Sequence, residues 1–283
     1  MSAGKQSGDA ALADAVERLV GGLPEESLVS IWLGDVHGES VYVRRERTTH
    51  YAASTMKLPL LMAAYRRHER GEIDLDVEVP VHNSFRSAFD GSPFALDQHD
   101  DQDDETWSRV GRTMSLRALA RHATVHSGNL ATNLLLEQVG SGAVSEVLAD
   151  AGCSDLTTLP RGIEDAAARR AGLDNRVTAA DLARVMCGIG ARELAAAATC
   201  RAVEDILATQ EHREQVPAGL PAGTYVANKT GWVDGVAHDV ALVRPDSAPP
   251  YVVAVCTTAA ASEEALYSLN AAISAAAWRR WTA

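Results

Sequence analysis

Apolar residues at Leu12, Val16, Leu19 and Val20 recur at helical spacing ahead of Gly21-Gly22, which predicts an amphipathic helix over residues 9–21. Two strand-like runs follow, Leu28–Leu33 and Ser40–Arg45, joined as a hairpin by Asp35-Val36-His37-Gly38-Glu39. From Ser54 an apolar helix runs to about Arg70 and ends at Gly71. Residues 75–105 lack a clear period and close in the acidic run Asp97–Glu105. Helical spacing returns over Ser115–Val125, with Ser115 as N-cap, and breaks at His126-Ser127-Gly128-Asn129. It resumes over Leu130–Val139 and again over 143–151. Residues 152–177, with Arg161, Glu164 and Asp165, form a long connection of the kind that often carries function. Thr178, with Asp181 three residues on, caps a helix to about Cys187, and another spans 200–211. Past Pro217 and Pro221 the period becomes that of strands: Thr224–Lys229, His238–Val243 and Tyr251–Thr257, with Asp234-Gly235 turning the first pair. A last helix covers Ser262–Trp278.

Strands at both ends and helices between them predict an α+β fold. The expected architecture is one antiparallel sheet built from both chain ends and covered by the terminal helices, with an all-α part inserted. The boundaries read as 1–52 plus 215–283 for the α/β domain and 53–214 for the all-α domain, with the active site at their interface. Composition adds exclusions. A net charge of −12 argues against nucleic acid or an anionic membrane as partner. No apolar run of about 20 residues is present to span a bilayer. The start, Met1 to Asp9, lacks the apolar core of a signal peptide, which predicts a cytoplasmic protein unless a leader has been removed. Cys153, Cys187, Cys200 and Cys256 have no metal-ligand spacing, and the acidic run lacks the glycine and glutamate of a calcium loop. The expectation is a monomer without metal or cofactor, acting on a small molecule, with Asp97–Glu105 a solvated loop.

Candidate chemistry centres on Ser54-Thr55-Met56-Lys57. Three residues apart on a helix, a serine and a lysine share one face, which suits a nucleophile and its base. The helix mouth favours an oxyanion beside Ser54. Ser-x-x-Lys alone arises by chance about once per chain of this length, and Ser2-Ala3-Gly4-Lys5 repeats it. The lysine count lends weight: the chain has three lysines, Lys5, Lys57 and Lys229, against 23 arginines. Lysine can give up its proton in a protein and arginine cannot. Lys229-Thr230-Gly231 is a rarer string, expected in about one chain in fifteen. On an edge strand it would turn Lys229 into a cleft, while Gly231 lets a ligand approach the backbone. Ser127-Gly128-Asn129 puts a hydroxyl and an amide on a loop between two helices.

With these three motifs in this order, the sequence resembles the penicillin-recognising serine hydrolases, and among them the class A β-lactamases. Gly128-Asn129-Leu130-Ala131-Thr132-Asn133-Leu134-Leu135 and Leu220-Pro221-Ala222-Gly223 add to the likeness, which covers roughly residues 10–280. The resemblance implies an α/β-plus-α fold and an acyl-serine mechanism. It implies Ser54 as nucleophile, Lys57 handling its proton, Ser127 passing a proton to the leaving nitrogen, and Lys229 supplying positive charge. It further implies Asn129 and Thr230 as substrate contacts beside Gly231, and an oxyanion hole from the backbone N–H groups of Ser54 and Trp232. The chain departs from the family in three places. Glu164-Asp165-Ala166-Ala167-Ala168 stands where the family has Glu-x-x-Leu-Asn, leaving Glu164 or Asp165 as candidate deacylation bases. Gly128 stands where an aspartate is usual, and His238 lies about where many relatives place an arginine for the substrate carboxylate. Three readings stay open: a β-lactamase-like hydrolase, a serine esterase, amidase or D-alanyl peptidase, and an acylated sensor without turnover.

Overall fold

The computed structural model describes residues 3–283; the serine of the Ser2–Lys5 spacing lies outside the described residues. Five antiparallel strands make the main sheet: β1 (Leu28–Asp35), β2 (Ser40–Arg44), β3 (Tyr225–Val233), β4 (Val236–Arg244) and β5 (Tyr251–Thr258). Their spatial order is β2-β1-β5-β4-β3. The interior strands β1, β4 and β5 are buried along nearly their whole length, which explains why they read as apolar runs rather than clean alternation. β1 and β5 come from opposite ends of the sequence and pair from Leu28↔Thr258 to Asp35↔Tyr251. β3 closes one edge of the sheet and pairs with β4. It runs past Lys229 through Gly231 to Val233, farther than its apolar residues predict.

The longer helices are α1 (Ala3–Val20), α2 (Lys57–Glu69), α3 (Leu116–Val125), α4 (Asn129–Val139), α5 (Ser141–Asp150), α6 (Ala179–Gly190), α7 (Ala197–Ala208) and α8 (Glu263–Trp281). Both predicted caps form, Ser115 accepting from the Ala118 N–H and Thr178 from Asp181, and Ser262 adds a third by accepting from Ala265. α1 and α8 pack Leu12, Val16 and Ile273 against Ile31, Val253 and Val255 on one face of the sheet. The other face is covered by α6, whose Leu182, Met186 and Ile189 join Val240, Leu242 and Val252. Terminal helices alone do not cover the sheet, because β4 and β5 present apolar side chains on both faces and the second set needs burial too. α2 is buried from Lys57 to Arg66, as expected of the central helix of an α-helical layer.

Two stretches expected to be irregular hold short elements. Glu78–Pro80 pairs with Thr113–Ser115, and Phe85–Arg86 with Pro93–Phe94. In the 152–177 connection, Thr158 bridges to Arg176 and a short helix spans Ala166–Arg170. An ion pair between buried Arg161 and half-buried Asp174, Nη2 to Oδ1 at 2.6 Å, closes the base of that connection. Among the described residues no helix is long and apolar enough to cross a membrane.

Candidate active site

Ser54 sits in a 3₁₀ turn, Ala53–Met56, that runs straight into α2, with Ala53 held at a φ of 44°. The serine is therefore one step ahead of the helix rather than within its first turn, and Lys57 is the first residue of α2. β3 lies directly against this turn. A Cβ on Gly231 would stand 2.8 Å from the Thr55 nitrogen and 2.9 Å from the Ser54 nitrogen, so only glycine lets strand and turn approach this closely. The approach brings the edge of β3, where alternate backbone groups lack a sheet partner, beside Ser54.

Two lysines converge on Ser127, and neither is in an ion pair among the described residues. Lys57 Nζ donates to the Ser127 carbonyl at 2.5 Å and to Asn129 Oδ1 at 3.0 Å, and lies 3.3 Å from Ser127 Oγ. Lys229 Nζ donates to Ser127 Oγ at 3.1 Å and to the Thr230 carbonyl at 2.9 Å. Both side chains are fully buried. Burial holds Lys57 well below the ordinary lysine range, the Lys229 cation pushes the same way, and Asp101 and Asp103 pull back. Burial also brings Lys229 down to about 7, against the attraction of Asp239. Asp239 is itself raised to about 6 by burial, and its carboxylate accepts from Asn228 Nδ2 and the Val216 N–H. Ser127, between the lysines, has a φ of 60°, a backbone conformation that non-glycine residues adopt only when held there.

The other predicted residues fall into distinct places. Asn129 opens α4 and its Nδ2 donates to the Asp100 carbonyl at 3.0 Å, which turns Oδ1 toward Lys57. Thr230 is buried, and its hydroxyl has no hydrogen-bond partner among the described residues. Trp232 packs against His212 with ring centroids 4.6 Å apart and ring planes tilted by 56°, and forms one wall of the cleft. His238 is fully buried: Nε2 faces the Tyr51 carbonyl at 2.9 Å and Nδ1 accepts from the Thr257 N–H at 3.2 Å. With both ring nitrogens taken and its pKa lowered to about 4 by burial, it is a neutral brace rather than a substrate contact. Asp165 is likewise structural. Its oxygens accept from the Ala88 N–H at 2.7 Å and the Ala168 N–H at 3.0 Å, so it caps the helix behind it. Glu164, at a φ of 62°, spends Oε2 on the Asp97 N–H at 2.9 Å and leaves Oε1 buried and unpaired, and burial raises its pKa.

Several contributors are given no role by the sequence reading. Asn133 clamps the backbone of Ile163, donating to its carbonyl at 2.9 Å and accepting from its N–H at 2.8 Å. Most of the Asp97–Glu105 run is exposed, as expected of a solvated loop, but two of its acids are anchored. Asp101 accepts from the N–H groups of Asn129 and Leu130, each at 2.8 Å, and Asp103 is buried against His122. These acids lie against the N-terminus of α4, where unpaired N–H donors attract carboxylates. The sole trace in sequence is Gly128, small where its neighbours need room.

Ser54, Ser127, Asn129, Trp232, Ile163 and Glu164 all line one cleft of about 800 Å³, with Lys57 and Lys229 behind its wall. Comparison with curated proteins finds no match. Among solved structures, the chain is similar to a β-lactamase from Sphaerobacter thermophilus DSM 20745, at 25% identity and a TM-score of 0.78, covering 95% of this chain and 96% of that one. It is similar to a β-lactamase from Xanthomonas campestris pv. campestris, at 20% identity and a TM-score of 0.80, covering 95% and 97%. A structure of PBP-A aligns at 20% identity and a TM-score of 0.76, covering 95% and 94%. The profile of the β-lactamase enzyme family matches residues 11–281, nearly the whole chain, and with the fold and the ordered motifs this places the protein in that family.

Proposed function

We propose that the protein is a serine hydrolase that opens a β-lactam amide through an acyl-Ser54 intermediate. The observation that carries the reading is the convergence of two buried lysines on the Ser127 hydroxyl beside a cleft that holds Ser54. Neutral Lys57 takes the Ser54 proton as Oγ bonds to the carbonyl carbon, and its lowered pKa makes the neutral amine accessible. The N–H groups of Ser54 and Trp232 would receive the oxyanion. As the C–N bond breaks, Ser127 gives its proton to the leaving nitrogen and regains one from Lys57, 3.3 Å away. Lys229, cationic below about pH 7, with the unpaired Thr230 hydroxyl near it in sequence, would hold the substrate carboxylate. Water then hydrolyses the ester and frees Ser54.

Labelling tests the reading. A fluorescent penicillin and a fluorophosphonate should each attach to one serine, and Ser54→Ala should abolish both signals. Persistent labelling of Ser54→Ala would reject the assignment. One observation favours a second reading, a serine esterase, amidase or D-alanyl peptidase. The carboxylates near Ile163 are committed elsewhere, Asp165 wholly and Glu164 by one oxygen, which leaves little to activate water against a hindered acyl-enzyme. Stable penicillin labelling without β-lactam turnover, together with hydrolysis of a small ester or a D-alanyl peptide, would select that reading.

A further inference from the structure

The turn Ser127-Gly128-Asn129 carries one proton-relay hydroxyl and one acceptor for Lys57, yet its middle residue has no side chain to hold it. The space a side chain would fill is already taken. A Cβ on Gly128 would lie 2.7 Å from Asp103 Oδ2 and 2.8 Å from Asp103 Cβ. Asp103 reaches this place from the loop before the short helix Asp104–Ser108 and is almost fully buried. Its carboxylate is well supplied with donors: His122 Nδ1 lies 3.0 Å from each oxygen, the Thr106 N–H donates at 3.3 Å and the Thr106 hydroxyl donates as well. The ring closes on the turn itself, because the Gly128 N–H donates to the carbonyl of that same His122 at 3.2 Å. Burial opposes the charge, but the His122 and Thr106 hydrogen bonds outweigh it and hold the carboxyl below its usual range.

We infer that Asp103, locked by His122 and Thr106, is a positioning residue that fixes the Ser127-Gly128-Asn129 turn from a neighbouring loop. The inference rests on the acyl-Ser54 reading. Asp103 packs against the Gly128 backbone, His122 fixes the Gly128 amide, and Asp101 fixes the Asn129 and Leu130 amides one step on. Together these contacts keep Ser127 at its positive φ and so keep its hydroxyl between Lys57 and Lys229. A carboxylate without this anchorage would not hold the turn, and a side chain at 128 would collide with it. Asp103 is also close enough to Lys57 to raise its pKa, so the brace and the proton path share one group.

The test moves the carboxylate. Asp103→Gly should slow Ser54 acylation by fluorescent penicillin by roughly 30-fold or more, in line with the cost of misplacing a reacting group by about 1 Å. Gly128→Ala alone should be similarly impaired by its clash. The double variant Asp103→Gly/Gly128→Asp, which returns a carboxylate to the vacated space, should recover to within about fivefold of the parent. Asp103→Gly/Gly128→Ala, which restores a Cβ but no carboxylate, should not recover. Melting temperatures of all four check that each is folded. Parent-like acylation by Asp103→Gly, or equal recovery by both double variants, would overturn the proposal. If the parent chain takes no penicillin, the function reading fails on its own. The brace is then read from hydrogen exchange at the Gly128 amide: Asp103→Gly should speed it at least tenfold, and unchanged protection overturns the proposal.

Discussion

Replacing Gly231 with alanine tests whether β3 and the Ser54 turn are locked together. The added Cβ would stand 2.8 Å from the Thr55 nitrogen, 2.9 Å from the Ser54 nitrogen and 3.1 Å from Thr55 Cγ2, where ordinary contact begins at 3.4 Å. Strand and turn must therefore separate by about 0.6 Å, and neither does so freely in a close-packed interior. β3 is laddered to β4, and the turn is continuous with buried α2. Misplacing reacting groups by about 1 Å costs on the order of 100-fold, so a shift of this size should slow acylation by about 10-fold or somewhat more. Overpacking should also destabilise the fold by about 1–3 kcal/mol, lowering the melting temperature by roughly 2–10 °C. Stopped-flow acylation by a fluorescent penicillin reads the first effect and calorimetry the second. A Gly231→Ala variant that acylates within twofold of the parent and melts at the same temperature would refute the locked contact.

Lys57→Arg and Lys229→Arg keep a charge yet should each slow acylation by about 100-fold or more, because guanidinium is planar and larger and, at position 57, unable to shed the proton a base must give up; near-parent rates would make the lysines structural. A β-lactam should give a burst of one equivalent and then slow turnover. Glu164→Gln should slow that turnover by about 10-fold further, whereas Asp165→Ala should cost about 0.5–2 kcal/mol of stability as a lost helix cap; equal effects on turnover would undo the distinction. Acylation should fall as pH rises through about 7, where Lys229 loses its proton, and Lys229→Arg should flatten that limb. Stability runs the other way. The folded pKa of about 7 lies below the ordinary 10.5, so between these values the unfolded chain binds more protons and stability rises with pH. A urea midpoint flat across that window would show that Lys229 stays protonated.

Where a site candidate rests on residue type and spacing, it is legible in the sequence. Lysine scarcity and three ordered motifs point to Ser54, Lys57, Ser127 and Lys229, and the structure brings Lys57 and Lys229 together on Ser127. Periodicity locates the helices and strands because burial imposes it, and it blurs where one element is buried all round, as in α2, or where polar residues line an edge, as in β3. What was illegible is what depends on long-range fit. Asp103 resembles any other acid in a charged run until Gly128 is seen against it. Glu164 and Asp165 are neighbours of the same chemistry, and only the direction of each side chain separates an unpaired carboxylate oxygen from a helix cap. His238 reads as a ligand candidate until both its nitrogens are found on backbone groups.

The sheet order has a consequence for how the chain is made. On the side away from β2, β1 finds its neighbour in β5, with Leu28 opposite Thr258, so one edge of the first strand to leave the ribosome waits for the last strand. Until then the β1–β2 hairpin has one unpaired, strongly apolar side, a template for pairing with another copy. The helical layer around α2 is drawn from contiguous sequence and can gather first, giving synthesis a partly ordered intermediate with an exposed strand. Expression at low temperature, or with a holdase that binds extended apolar segments, should therefore raise soluble yield more than any stabilising change within the helices, because the vulnerable species precedes the native state.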